Sequence, residues 1–160
     1  MSARILLLNG PNLGRLGQRE PHIYGTTTLA EIVEAARAHA GARGATVADY
    51  QSNHEGDLID RLERRDFDGV VINPGALTHY GYSLYDALAA CDEPVVEIHI
   101  SDLAARARRE PWRQVNAITP AVSGTVMGRG WQGYLEAMDL LLDLLDGRSP
   151  AAPASREAHP

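Results

Sequence analysis

Residues 69–79 read G69-VVINPGALTH-79, and this segment gives the clearest indication of the overall architecture. Three consecutive β-branched residues, 70–72, are followed at once by the turn-forming sequence Asn73-Pro74-Gly75. An apolar run without alternating polar residues is typical of a parallel strand that is buried on both faces. Five strands are predicted from such runs: Arg4–Asn9, Ala45–Gln51, Gly69–Asn73, Pro94–His99 and Ala121–Met127.

Helical patterns separate these strands. Apolar residues recur at i, i+3 and i+4 after Thr28 and after Glu55, and two more helices are predicted over Tyr80–Ala90 and Gln132–Asp146. Thr28-Leu-Ala-Glu31 and Ser52-Asn-His-Glu55 both have the capping-box pattern that starts a helix.

The alternation of strands and helices predicts the class of fold. We expect a single α/β domain over residues 1–146, built as a three-layer, flavodoxin-like doubly wound sheet of five parallel strands. Residues 147–160 contain three Pro and four Ala without any apolar period, and this tail is predicted to be disordered.

The composition narrows the class of protein. The 160 residues carry a net charge of −6, which argues against a general nucleic-acid surface. All 15 basic residues are arginine, and the absence of lysine excludes Schiff-base catalysis, a pyridoxal phosphate anchor and a P-loop lysine. The apolar runs are too short to cross a bilayer, and no signal-peptide pattern is present. The single cysteine, Cys91, cannot form an internal disulfide, and we expect a cytoplasmic protein without a membrane partner.

Polar residues cluster after the first, third and fourth predicted strands. In a parallel sheet, ligands bind beyond the carboxyl ends of the strands. We expect these three strands to be neighbours, so that the residues after them face one crevice. The set is rich in hydrogen-bond donors and suits a small, hydroxylated, anionic ligand. Its members are Asn12, Arg19, Tyr24, Asn73, His79, His99 and Ser101.

Each of these residues also has a purely structural interpretation. Asn73 belongs to a turn sequence, His79 can cap the next helix, and Tyr24 can be a packed aromatic residue. His99 can be a core histidine paired with Glu97, which lies on the same strand face. Their coincidence at three strand ends favours a site. The dinucleotide fingerprint G-x-G-x-x-G, the H-E-x-x-H motif and any Cys/His cluster are absent from the sequence, so no metal site is expected.

Five longer segments carry a more specific signal: N9-GPNLGRLGQREPHIYG-25, Q51-SNHEGDLID-60, I72-NPGALTHYGYSLYDAL-88, P94-VVEIHIS-101 and S123-GTVMGRGWQGYLEA-137. In this order they resemble the type II 3-dehydroquinate dehydratase family, over Arg4 to Leu145. That family converts 3-dehydroquinate to 3-dehydroshikimate, in the shikimate pathway or in quinate catabolism. The resemblance implies an anti elimination of water through an enolate, without a cofactor. The lysine-free composition independently excludes the imine route of the type I enzymes.

The resemblance implies a set of catalytic residues. Tyr24 would be the base that removes a proton from C2. Free tyrosine has a pKa of ~10 and is a weak base, so Arg19 beside it would favour the phenolate. His99 would be the acid that protonates the leaving C1 hydroxyl, with Glu97 orienting its ring. Asn12 would help to hold a water against the enolate oxygen.

The resemblance also implies substrate-binding residues. Asn73 and His79 would bind substrate hydroxyls, and Gly75 counts among the substrate-binding positions. The backbone N–H groups of Ile100 and Ser101, with the Ser101 hydroxyl, would cradle the carboxylate.

The segment S101-DLAARARREPWRQ-114 departs from the family pattern because it is longer. The substrate-binding arginine of this segment could be Arg106, Arg108, Arg109 or Arg113. Aligning Glu110-Pro-Trp-Arg113 with the family's Glu-x-aromatic-Arg selects Arg113.

The resemblance also implies a function for the first loop and an oligomeric state for the protein. The loop would be a lid that closes over substrate, with Gly17 and Gly25 flanking its mobile part. The family assembles as a homododecamer, a tetramer of trimers, and Asp86 would be contributed to a neighbour's site.

Two other classes of protein keep the same fold. A flavodoxin-like binding module for a small anion or a nucleotide predicts that Tyr24 is dispensable, and the missing phosphate-loop motif counts against it. A paralogue that only assembles needs neither Arg19, Tyr24 nor His99, so their joint presence counts against that class.

Overall fold

The fold is described from a computed structural model, which gives residues 2–148. Residues 149–160 of the predicted disordered tail lie outside the described residues, and the domain boundary at residue 146 stays a prediction. Within the described residues, no helix is both long and apolar enough to span a membrane.

Five parallel strands form one sheet. They are β1 (Arg4–Asn9), β2 (Thr46–Gln51), β3 (Gly69–Asn73), β4 (Val95–His99) and β5 (Gly124–Met127). The strand order is β2-β1-β3-β4-β5, so β1, β3 and β4 are neighbours, as the sequence predicts. In this register Asn9 lies directly beside Asn73 at the carboxyl ends of β1 and β3.

Helices cover both faces of the sheet. On one face lie α2 (Leu29–Ala42) and α6 (Gly133–Leu145), and on the other lie α3 (Glu55–Glu63) and α4 (Tyr82–Ala89). Two short helices, α1 (Pro21–Tyr24) and α5 (Leu103–Ala107), follow β1 and β4. The three-layer, doubly wound α/β prediction is confirmed.

One predicted capping box is present and the other is not. The Thr28 hydroxyl accepts from the Glu31 N–H at 3.2 Å, and the Glu31 carboxylate accepts from the Thr28 N–H at 2.8 Å. The second prediction is wrong, because the Glu55 carboxylate accepts instead from the Leu84 N–H at 2.9 Å. His54 is the N-cap residue of α3 and makes no side-chain capping bond. The Glu55 carboxylate thus links α3 to α4, whereas the local sequence pattern predicts that it caps the N-terminus of α3.

Two elements begin at least two residues later than predicted. Helix α4 begins at Tyr82 rather than Tyr80 because a 3₁₀ turn, Gly75–His79, comes before it. Strand β5 begins at Gly124 rather than Ala121 because Thr119–Ala121 forms another 3₁₀ turn. That turn contains a proline, which has no N–H to give to a sheet.

The first loop crosses the end of β3 at close range. The Gly10 N–H donates to the Asn73 carbonyl at 2.8 Å. A Cβ atom on Gly10 would lie 2.6 Å from the Pro74 carbonyl oxygen, so no larger residue fits there. The loop is therefore held over the carboxyl edge of the sheet. It ends in α1, with Pro21 at the first helical position and Tyr24 at the last.

Candidate active site

A cavity of about 620 Å³, counting the space at its open mouth, lies beyond the carboxyl ends of β1, β3 and β4. Its place is the predicted one. Arg19, Arg106 and Arg113 line it, and no acidic side chain among the described residues does. An anionic ligand is therefore favoured. The other predicted site residues on its wall are Asn12, Tyr24, Asn73, Gly75, His99, Ile100 and Ser101.

The phenol oxygen of Tyr24 contacts an arginine. Arg106 Nη1 donates to Tyr24 Oη at 2.6 Å. The Arg19 guanidinium carbon lies 5.7 Å from the centre of the Tyr24 ring, and Arg19 forms an ion pair with Glu20 at 3.4 Å. The cation that touches the phenol oxygen is therefore Arg106, while Arg19 lies near the ring.

The contact between Arg106 and Tyr24 is not predicted from the sequence, where Arg106 is one of several candidates for binding substrate. Asp102 caps α5 by accepting from the Ala105 N–H at 3.0 Å, and this short helix carries Arg106 to the cavity. Burial lowers the pKa of Arg106, but the hydrogen bond and charge of Tyr24, with Glu110, raise it above its ordinary value. The one local signal for this placement is Asp102, a favoured N-cap residue type.

His99 and Glu97 form a buried pair on β4. The two side chains are 4% and 0% exposed, and His99 Nε2 contacts Glu97 Oε1 at 2.7 Å. Glu97 also accepts from the hydroxyls of Thr78 and Thr119, each at 2.7 Å. Burial raises the pKa of Glu97, but the hydrogen bonds and the charge of His99 outweigh burial and hold that pKa below its usual range. An ionised carboxylate only accepts, so His99 Nε2 is the donor and Nδ1 is left for the cavity.

Asn73 is held by two hydrogen bonds at the end of β3. Its Oδ1 accepts from the Gly75 N–H at 3.1 Å, and its Nδ2 donates to Tyr134 Oη at 2.8 Å. Gly75 has a φ of +58°, and a Cβ atom there would lie 3.1 Å from the Pro11 carbonyl oxygen. The turn chemistry predicted for this segment is present, and it places Asn73 on the cavity wall.

His79 is buried behind the cavity and is not among the residues that line it. Its Nδ1 donates to the Val115 carbonyl at 2.5 Å, and its Nε2 has no hydrogen-bond partner among the described residues. Burial, with the charges of Arg113 and His99, lowers the pKa of His79 despite its bond to Val115. The ring is therefore neutral, with Nε2 as an acceptor that is still free.

Two arginines of the long segment lie on the cavity wall. Arg113, which the alignment selects, is 9% exposed and donates to Glu110 at 2.7 Å. Its guanidinium carbon lies 4.0 Å from the centre of the Trp112 ring. Arg106 is the second, whereas Arg108 and Arg109 are exposed and do not line this cavity.

Of the remaining predicted site residues, Asn12 lies on the cavity wall and Asp86 does not. Asn12 lines the cavity, adopts a left-handed φ of 68° and donates its N–H to Asn53 Oδ1 at 3.0 Å. Asp86 lies exposed on α4 and is not on the wall of this cavity. Its contribution to a neighbour's site stays a prediction.

Comparisons with known proteins identify the family. The family described as dehydroquinase class II matches residues 3–142. A 3-dehydroquinate dehydratase of Anoxybacillus flavithermus is 48% identical over 147 residues, 91% of this chain and 97% of that protein. A catabolic 3-dehydroquinase of Aspergillus oryzae is 48% identical over 141 residues, 87% of this chain and 90% of that protein. The crystal structure of a type II dehydroquinase from Propionibacterium acnes has a TM-score of 0.82 at 40% identity, covering 88% of this chain and 97% of that one. This chain belongs to the class II dehydroquinase family.

Proposed function

We propose that this chain is an enzyme that dehydrates 3-dehydroquinate to 3-dehydroshikimate, a hydro-lyase reaction. The observation that carries the proposal is the convergence of two residue pairs on one arginine-lined cavity. These pairs are Tyr24 with Arg106 and His99 with Glu97. The printed names of relatives at 48% identity support the same reaction.

Tyr24 is the base in this proposal. A guanidinium hydrogen-bonded to a phenol oxygen stabilises the phenolate more than the neutral phenol, and arginine stays charged throughout. Arg106 supplies that contact at 2.6 Å, and Arg19 adds positive charge near the ring. The phenolate removes a proton from C2 of the substrate, which leaves an enolate.

His99 is the acid that completes the elimination. The ionised Glu97 carboxylate accepts from His99 Nε2 at 2.7 Å and fixes the orientation of the ring. Nδ1 of His99 gives its proton to the C1 hydroxyl, the C1–O bond breaks, and water leaves as the C1–C2 double bond forms. A water held with the help of Asn12 stabilises the enolate oxygen. No step requires a cofactor.

The remaining polar groups bind the substrate. Asn73 on the cavity wall donates from Nδ2 and accepts at Oδ1 to bind one substrate hydroxyl. His79 Nε2, an acceptor behind that wall without a partner among the described residues, accepts from a second substrate hydroxyl. The backbone N–H groups at Ile100 and Ser101, with the Ser101 hydroxyl, bind its carboxylate, and Arg113 adds a buried positive charge on the wall. Gly75 keeps the third strand's turn close to the bound substrate.

The proposed assembly is a homododecamer, a tetramer of trimers. Asp86 is exposed on α4, where it can reach a neighbouring subunit. The large aromatic residues Tyr80 and Tyr82, near the start of the same helix, are 57% and 66% exposed, which is typical of a surface that another chain covers. The site is expected to be complete only in the assembly.

We place the reaction in the shikimate pathway, which leads to chorismate and the aromatic amino acids, with quinate catabolism as the alternative. The name of the Aspergillus relative favours the catabolic role for that protein. The proposed location is cytoplasmic, as the sequence predicts.

Isotopic labelling of the substrate tests the reaction and its stereochemistry together. 3-Dehydroquinate with deuterium at C2, on the face opposite the C1 hydroxyl, should give a product without deuterium and should react more slowly than unlabelled substrate. Substrate labelled on the other face of C2 is the matched control, and its product should keep the deuterium. The reversed pattern would contradict the anti elimination, and no product from either substrate would contradict the activity.

A further inference from the structure

A chain of buried polar side chains links α6 to the proposed site. Tyr134 Oη donates to Asn9 Oδ1 at 2.7 Å and accepts from Asn73 Nδ2 at 2.8 Å. Asn73 Oδ1 accepts in turn from the Gly75 N–H at 3.1 Å. Tyr134, Asn9 and Asn73 are 0%, 1% and 3% exposed, so water does not compete for these bonds.

One backbone group fixes the direction of each hydrogen bond that links Asn73, Tyr134 and Asn9. The Gly75 N–H can only donate, so Asn73 must present Oδ1 to it and Nδ2 to Tyr134. Tyr134 has one hydroxyl hydrogen, which therefore goes to Asn9 Oδ1. Burial raises the pKa of Tyr134 well above its ordinary value despite the bond from Asn73, so the hydroxyl keeps this hydrogen.

The fold alone does not explain the polar residue at position 9. Asn9 Nδ2 is buried and has no hydrogen-bond partner among the described residues, which destabilises the folded state. The four residues before it in β1 are apolar and buried. An apolar residue at position 9 would avoid the unpaired donor, but it would leave the Tyr134 hydroxyl without an acceptor.

We propose that Tyr134 is a positioning residue that holds the Asn73 amide in its substrate-binding orientation, and that Asn9 holds the Tyr134 hydroxyl. The inference rests on the proposed function, in which Asn73 binds a substrate hydroxyl. These two hydrogen bonds of Asn73 use one Nδ2 hydrogen and one Oδ1 lone pair. The second Nδ2 hydrogen and the second Oδ1 lone pair remain for the ligand. Without the bond to Tyr134 the amide keeps only its bond from the Gly75 N–H and holds its substrate-binding geometry less often.

Tyr134→Phe removes a single oxygen atom and tests the proposal. We expect KM for 3-dehydroquinate to rise ~10-fold while kcat changes less than ~3-fold, because binding loses the equivalent of one hydrogen bond. A merely structural lesion would reduce the amount of active protein, which lowers kcat and leaves KM unchanged. Tyr50→Phe makes the same chemical change at a half-buried tyrosine of the opposite core and should leave both constants unchanged.

A double-mutant cycle separates action through Asn73 from any other effect. In an Asn73→Ala background, Tyr134→Phe should not raise KM further. An equal increase in both backgrounds, or an unchanged KM in Tyr134→Phe alone, would overturn the proposal. If Tyr134→Phe does not fold, Asn9→Ala breaks the chain of hydrogen bonds at its other end and should raise KM in the same direction.

Thermal unfolding of the same four proteins tests the contact without turnover. The Tm changes of Tyr134→Phe and Asn73→Ala should be non-additive if the two side chains are coupled. Additive Tm changes would contradict the proposal that Tyr134 positions the Asn73 amide. A wild type that does not dehydrate 3-dehydroquinate but shows non-additive Tm changes would refute the proposed function and leave the coupling in place.

Discussion

The phenol of Tyr24 lies near two guanidinium groups that differ in their contact with it. Arg106 donates to the phenol oxygen at 2.6 Å, whereas the guanidinium carbon of Arg19 lies 5.7 Å from the ring centre. A donor to the oxygen acts where the negative charge of a phenolate concentrates. Arg106 is therefore expected to contribute more than Arg19 to activation of Tyr24, the proposed base.

Replacing Arg106 tests this difference. We expect Arg106→Gln to lower kcat/KM by ~100-fold or more, because the base loses its hydrogen-bonded cation. Arg109→Gln removes the same charge three residues away, at an exposed position outside the cavity, and should change kcat/KM less than ~2-fold. Equal losses in both variants would show that only general charge matters.

His79 is expected to make stability depend on pH. Because burial lowers the pKa of His79, the folded protein resists protonation of this ring more than the unfolded chain does. Its contribution is complete above the unfolded pKa of ~6.5 and is lost as pH falls below that value.

His79→Asn removes the titration and keeps a donor for the Val115 carbonyl. Between pH 7 and 5 we expect the free energy of unfolding to fall more steeply in the wild type than in this variant. The difference can reach ~1.4 kcal/mol for each pH unit within the window. Denaturant unfolding at several pH values measures it, and parallel curves for the two proteins would refute the assignment.

At the scale of elements, the backbone at Gly25 fixes the end of the helical turn that carries Tyr24. Gly25 has a φ of 78° and a ψ of −173°, a region that only glycine adopts readily. Gly44, at the end of α2, has a similar φ of 77°, and a Cβ atom at either position would meet open space. A Cβ atom would therefore cause no steric clash at either glycine, and the two positions differ in that only Gly25 adjoins Tyr24.

Gly25→Ala and Gly44→Ala form a matched pair. Each should lower the free energy of unfolding by ~1–3 kcal/mol through backbone strain. Only Gly25→Ala should also lower kcat/KM, by about 10-fold or more, because it moves Tyr24, the proposed base, relative to the cavity. Steady-state kinetics and Tm measure both effects. An unchanged kcat/KM in Gly25→Ala would contradict the role of this turn.

The elements that the sequence predicts well are those with local causes. Strands β1 and β3 have their predicted bounds because polar or turn-forming residues end their apolar runs. The capping box of Thr28 and Glu31 needs only four consecutive residues. The box at Glu55 is wrong because a distant N–H, that of Leu84, competes for its carboxylate. The contact of Arg106 with Tyr24 joins residues 82 positions apart, which no local pattern contains.

At the scale of the whole molecule, Asp86 is the predicted site residue that lies away from the cavity. It is exposed and neither lines the cavity wall nor lies behind it. If Asp86 serves a neighbour's site, Asp86→Ala subunits and Tyr24→Phe subunits lack different halves of that site. Co-expression of the two inactive variants should then recover part of the wild-type activity, since mixed assemblies contain sites with both residues intact.

The controls for this experiment are the two variants expressed alone and then mixed without subunit exchange, which should stay inactive. Sedimentation should show that both variants assemble as the wild type does. Mixed assemblies without recovered activity would contradict a site shared between subunits.

Ultraviolet absorbance after addition of 3-dehydroquinate to the purified, assembled protein tests most directly whether this cavity carries out the dehydration with Tyr24 as the base. The expected product is a conjugated enone carboxylate, so its formation raises the absorbance. We predict a rise with the wild type and a rise slower by ~10²–10⁴-fold with Tyr24→Phe. An equal rise in both proteins would remove Tyr24 from its role, and no rise with the folded, assembled wild type would contradict the dehydratase activity itself.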